Sequence, residues 1–172
     1  RSNSVPLRPP DNDRRPSRSG RILIAEDNAT NQLVAAGMLR MLGCTCEIAR
    51  NGIEAVAAWR KGEWDLILMD CQMPEMDGFQ ATAAIRSQES GSARRIPIIA
   101  MTANTLPDDI ECCKMAGMDD HLPKPLTLDT LASRLGQWLN WHADHLPLAN
   151  AAQDPADGNS PLDTMVLKRL RE

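Results

Sequence analysis

One aspartate stands at the end of an uninterrupted apolar run. Leu66-Ile67-Leu68-Met69 leads directly into Asp70, and Cys71-Gln72-Met73-Pro74-Glu75-Met76-Asp77-Gly78 follows. A carboxylate at the exit of a buried strand is costly to keep ionised unless a cation compensates it. The chain supplies candidates of the right kind at the ends of its other apolar runs. Glu26 and Asp27 close Ile22-Leu23-Ile24-Ala25, Thr102 closes Ile98-Ile99-Ala100-Met101, and Lys124 follows Leu122-Pro123. Carboxylates about 4 Å apart repel by about 1 kcal/mol in water and about 4 kcal/mol at an effective dielectric near 20. A hard divalent cation removes that repulsion, and Mg²⁺ takes carboxylates, waters and phosphate oxygens together. The same ion draws charge from a phosphoryl group and eases its transfer onto a carboxylate nucleophile. Lys124 can hold that group as a point charge, and the Thr102 hydroxyl can donate to it. Nucleophile, metal, lysine and hydroxyl make a phosphoryl-accepting site, because such transfer needs mainly positioning and charge stabilisation.

The elements that must bring these residues together alternate regularly. Apolar runs at 21–25, 44–49, 66–70, 96–101 and 118–122 read as strands, short and bounded by polar or turn residues. Helical spacing fills the gaps. Asn28 suits a helix cap, and Leu33, Val34, Met38, Met41 and Leu42 form an apolar stripe expected to pack inward before Gly43. Asn51-Gly52 opens a helix through Ala55, Val56 and Trp59, and Asp77-Gly78 opens another through Phe79, Thr82 and Ile85. Pro107 suits the first turn of a fourth helix ending near Gly117. Thr127 caps a fifth that carries Leu128, Leu131, Leu135 and Trp138. Five strand–helix units predict an α/β fold, a parallel sheet covered by helices on both faces. Glu26, Asp27, Asp70, Thr102 and Lys124 then all fall at the carboxyl edge, where open α/β sheets bind ligands.

Composition narrows the classes. A chain of 172 residues allows one domain with extensions, and a net charge of −4 gives no hint of a nucleic-acid surface. No apolar stretch approaches the ~20 residues of a membrane helix, and no secretory leader precedes the first strand, which predicts a cytoplasmic domain. Cys44, Cys46, Cys71, Cys112 and Cys113 show neither CxxC nor metal-ligand spacing and are expected to be buried thiols. Residues 1–20, rich in proline and arginine, read as a disordered linker, and residues 142–161, without lysine or arginine, as a second linker. Neither GxGxxG nor a P-loop lysine motif is present, which removes the common nucleotide-binding readings.

Four stretches taken together resemble the receiver domain of two-component response regulators, over residues 21–141. They are Ala25-Glu26-Asp27-Asn28, Leu68 through Gly78, Ala100-Met101-Thr102-Ala103 and Leu122-Pro123-Lys124-Pro125. The resemblance implies a flavodoxin-like doubly wound sheet of order 2-1-3-4-5, an order under which receivers are already a known example. It implies Asp70 as phosphoacceptor, Asp27 as direct metal ligand, Glu26 acting through water and Gln72 lending its backbone carbonyl. The implied cofactor is Mg²⁺, with Mn²⁺ able to substitute. It implies a cis Lys124–Pro125 bond that aims the lysine, and a switch in which Thr102 moves toward the phosphoryl group. His121 stands where the family usually has Tyr or Phe; the expectation here is an exposed residue on an edge strand, which weakens the usual switch.

The wording Asn28-Ala29-Thr30-Asn31-Gln32, with Met-Asp-Cys-Gln-Met-Pro, is similar to receivers carried inside hybrid sensor kinases, whose parent chains can be anchored in an inner membrane. Residues 162–172 are similar to the opening helix of a histidine phosphotransfer domain. The implied partners are therefore a histidine kinase core and a histidine phosphotransfer domain, with no nucleic acid or membrane contact in these residues. Two rival readings remain beside this one. A pseudo-receiver would bind partners without phosphorylation, but the acidic pair, Asp, Thr and Lys all stand in place. An aspartyl-nucleophile hydrolase wants a second Asp two residues after the first, where this chain has Gln72.

Overall fold

The computed structural model describes residues 20–139. The linker expected over 142–161 and the segment 162–172 lie outside the described residues, as does the linker expected over 1–20 except Gly20. Strands and helices alternate: β1 (Arg21–Ala25), α1 (Ala29–Met41), β2 (Thr45–Ala49), α2 (Gly52–Lys61), β3 (Leu66–Asp70), α3 (Gly78–Glu89), β4 (Ile98–Thr102), α4 (Pro107–Ala116), β5 (Asp120–Pro123) and α5 (Leu128–Trp138). All pairings are parallel, in the expected order β2-β1-β3-β4-β5. Register places Ala25 beside Met69 and Asp70 beside Met101, so the strand exits line up along one edge.

The sheet divides the interior in two. Leu23, Ala25, Ile67, Met69, Ile98 and Ala100 face a core shared with α2, α3 and Cys113 of α4. Ile22, Ile24, Leu66, Leu68, Ile99 and Met101 face the other, shared with α1 and α5. Continuous apolar runs are what a two-sided parallel strand requires. Helix starts follow the polar caps: Asn28 Oδ1 accepts from the Thr30 and Asn31 N–H groups, and Asp77 with Gln80 closes a reciprocal capping box. Pro107 opens α4, and Gly117 ends it in the left-handed region at φ 98°. α4 buries only Cys113.

Three expectations require correction. The α1 stripe faces inward only in part: Leu42 is buried and Met38 packs against the core, but Leu33 and Met41 are 74% and 64% exposed and Val34 is exposed too, while Ala35 and Leu39 take the other buried positions. Ala35, Leu39 and Leu42 stand at i, i+4 and i+7 on one face of the helix, and Leu33, Val34 and Met41 fall off that face. Cys112 is exposed and Cys46 half-buried; Cys44, Cys71 and Cys113 are the buried thiols. His121 sits on the edge strand as expected, yet its side chain is only 28% exposed. Boundaries shift slightly: β2 begins at Thr45, β4 at Ile98 after Pro97, and β5 at Asp120. Among the described residues no helix is long and apolar enough to cross a membrane.

Candidate functional site

β1 ends at Ala25 and β3 at Asp70, side by side in the sheet, so the next residues of β1 meet Asp70 across the edge. One carboxylate oxygen each from Glu26, Asp27 and Asp70 lies within 4.8 Å of the others. Glu26 is 2% and Asp70 5% exposed, while Asp27 faces solvent. The loop after β3 must then double back to reach α3, and Gly78 makes this possible. A Cβ there would overlap the Asp70 carbonyl, so only glycine fits. The Lys124–Pro125 peptide bond is cis, as expected.

Lys124 compensates the carboxylates. Its Nζ lies 2.8 Å from Glu26 Oε2 and 2.8 Å from Asp70 Oδ2. Asp70 Oδ1 accepts the Gln72 N–H at 3.1 Å. Glu26 Oε1 accepts the Asn28 N–H at 3.1 Å and Asn31 Nδ2 at 3.3 Å. This difference in partners separates the two acids. Burial works against the Glu26 carboxylate, but Lys124, Asn28 and Asn31 outweigh it and hold its pKa below the usual range. Burial pushes the Asp70 carboxyl above its ordinary value; Lys124 and Gln72 oppose the rise, and the Glu26 charge adds to it. Burial also disfavours the ammonium, yet the two carboxylates keep Lys124 more basic than an ordinary lysine.

The predicted residues thus gather as expected, with one reorientation. Thr102, at the end of β4, donates its hydroxyl to the Asn104 carbonyl at 2.6 Å and accepts the Asn104 N–H at 3.1 Å. Its hydroxyl is committed to its own loop and must turn to reach a ligand. His121 stands apart from the carboxylates on β5, its Nδ1 3.9 Å from Asp120 Oδ1. A cleft of about 350 Å³ opens over the acids, walled by Phe79, Thr102, Asn104, Cys113 and Lys124 among others. Asn31 was not singled out as a site residue from the sequence. Its place one turn into a helix that follows two acids was the available signal, but an amide carries no chemistry of its own to flag it.

Hard oxygen donors this close, one solvent-facing and two partly neutralised by a lysine, fit Mg²⁺. A family model described as response regulator receiver domain matches residues 22–136. Histidine kinase 5 of Arabidopsis thaliana is 41% identical over 144 residues, spanning 70% of this chain and 16% of that protein. Hybrid signal transduction histidine kinase B of Dictyostelium discoideum is 43% identical over 130 residues, spanning 70% of this chain and 7% of that protein. The chain therefore spans a minor part of these curated relatives. The receiver domain of sensor histidine kinase PA1611 from Pseudomonas aeruginosa superposes with TM-score 0.65 at 45% identity, covering 72% of this chain and all of that one. That structure has magnesium coordinated in its active-site cleft. A Saccharomyces cerevisiae complex of the phosphotransfer protein Ypd1 with the receiver domain of Ssk1 matches with TM-score 0.66 at 33% identity, covering 73% of this chain and 94% of that one.

Proposed function

The chain belongs to the response regulator receiver domain family, and from that premise we propose that Asp70 accepts a phosphoryl group from a phosphohistidine. The observation that carries the reading is the shared ammonium of Lys124, 2.8 Å from both Glu26 and Asp70 at the mouth of an open cleft. A carboxylate oxygen of Asp70 attacks phosphorus, the new P–O bond forms, the P–N bond breaks, and the imidazole leaves and takes up a proton. Asp27, Asp70 and the Gln72 backbone carbonyl would hold Mg²⁺, with Glu26 supporting it through water, and the ion would compensate charge on the phosphoryl oxygens. Lys124 leaves its carboxylates for one phosphoryl oxygen. The Thr102 hydroxyl turns from Asn104 to another, biasing the loop between two states.

The donor belongs to the same relay: a histidine kinase core or a histidine phosphotransfer domain, as the likeness to hybrid kinases and to a receiver crystallised with Ypd1 supports. The pseudo-receiver reading finds no missing group here to favour it. Asp70→Asn keeps the shape and removes the nucleophile. With acetyl phosphate and Mg²⁺, wild type should be labelled and the variant should not, while melting stays nearly unchanged. Undiminished labelling of the variant would overturn the assignment.

A further inference from the structure

Glu26 is restrained at every polar atom. Its N–H donates to the Ala49 carbonyl at 3.0 Å, and its own carbonyl accepts Gln32 Nε2 at 2.7 Å. Oε2 pairs with Lys124, and Oε1 takes the Asn28 N–H and Asn31 Nδ2. Two consecutive α1 side chains, Asn31 and Gln32, therefore hold the side chain and main chain of one acid. Asp27, its neighbour, faces solvent and has no such support among the described residues. The arrangement has a weak point. Lys124 must leave Glu26 when it moves to a phosphoryl oxygen, and Glu26 is 2% exposed. A carboxylate that buried cannot fall back on bulk water, and an uncompensated one is strongly disfavoured. After the lysine departs, what remains on the carboxylate from this chain is the pair of N–H donors on Oε1.

We propose that Asn31 is a positioning residue for the divalent-cation site. By donating Nδ2 to Glu26 Oε1 it keeps that carboxylate aimed and compensated when Lys124 is drawn away. The inference rests on the phosphoacceptor reading and deepens it. A backbone N–H alone cannot fix the carboxylate's rotation, because a single donor leaves the plane free to swing about it. The second donor, from a side chain on the adjoining helix, removes that freedom. Asn31 also stands on the ridge between the acid cleft and a neighbouring cleft lined by Val34, Pro125 and Leu126. Among the described residues the Asn31 side-chain amide hydrogen-bonds Glu26 and no other group, which makes the proposal separable from a general effect on the fold.

The test is calorimetric titration of the 172-residue chain with Mg²⁺, alone and with beryllofluoride, whose fluorines stand in for the phosphoryl oxygens that draw Lys124 away. Asn31→Leu should weaken Mg²⁺ binding by about threefold to tenfold, the scale of one hydrogen bond to a charged group that is partly solvated. Asn31→Ser, too short to reach Glu26, should weaken it equally. Metal-free melting should move little in either variant. In a Glu26→Gln background the effect of Asn31→Leu should shrink, since the glutamine Oε1 still accepts from Asn31 but carries no charge to aim at the cation. Unchanged Mg²⁺ affinity in both variants would overturn the proposal, as would a loss that persists in full in the Glu26→Gln background. A fall in melting temperature with unchanged affinity would show a structural role only and also overturn it. Failure of the wild-type chain to bind Mg²⁺ would instead defeat the phosphoacceptor reading on which the proposal stands.

Discussion

Lys124 satisfies two carboxylates with one ammonium, and the two respond differently because their other partners differ. Glu26 has two further N–H donors, whereas Asp70 has one and also feels the Glu26 charge. The acid meant to be the nucleophile is thus the less stabilised anion. Replacing the lysine tests this arrangement. Lys124→Gln removes a positive charge from among three acids, so Mg²⁺ should bind more tightly while labelling of Asp70 falls. Titration and labelling of the same preparation check both halves, and weaker Mg²⁺ binding would contradict the electrostatic account. The thiols make a second point at this scale. Burial pushes Cys44 from an ordinary value of 9.0 up to about 11. A group whose folded pKa is raised stabilises the fold fully below its unfolded pKa and loses that contribution as pH rises through the folded value. Denaturant midpoints should therefore fall between about pH 9 and 11, and Cys44→Ala should flatten that decline. An equal slope in the variant would assign the loss to other groups.

At the scale of elements, the strands were readable because each two-sided strand is a continuous apolar run, and the caps because Asn28, Asp77 and Thr127 are side chains that satisfy free N–H groups. The inward face of α1 was readable only in part. Met38 and Leu42 lie on it as expected, but Leu33, Val34 and Met41 point away and Ala35 and Leu39 join it, because the helical phase that meets the core is not the one an apolar count favours. The site acids, Thr102 and Lys124 were legible from their strand ends. The direction of the Thr102 hydroxyl was not, since it depends on a carbonyl two residues away. Long-range polar ties were equally silent. Arg86 on α3 donates to the Gly117 and Ile96 carbonyls and pairs with Glu89 and Asp119 at 2.6 and 2.7 Å, all largely buried. It joins α3 to the turn before β5. Removing one partner of a buried pair leaves the other charge stranded, so Arg86→Ala should cost about 3 kcal/mol. Urea denaturation checks this, and a loss below about 1 kcal/mol would place the network among weak surface pairs.

For the molecule as a whole, the two cores on opposite faces of the sheet are not equally demanding of their helices. α1 and α5 close one face with Ala35, Leu39, Leu131 and Leu135. On the other, α2 and α3 contribute several buried residues each, while α4 contributes Cys113 alone and has Leu106, which offers no side-chain cap, just before its first residue. α4 also follows the loop that holds the Thr102 hydroxyl. A phosphoryl mimic such as beryllofluoride with Mg²⁺ should shift amides from the Thr102 loop through α4, β5 and α5. His121, half-covered on β5, should make that response partial. Shifts confined to the loop after Asp70 would contradict it. The sparse anchoring of α4 has a consequence even before any phosphoryl group arrives. A segment with few apolar contacts opens on its own, at a free energy well below that of global unfolding. α4 should therefore be the first of the five helices to lose amide protection in hydrogen exchange, opening as a sub-global unit while the sheet stays closed.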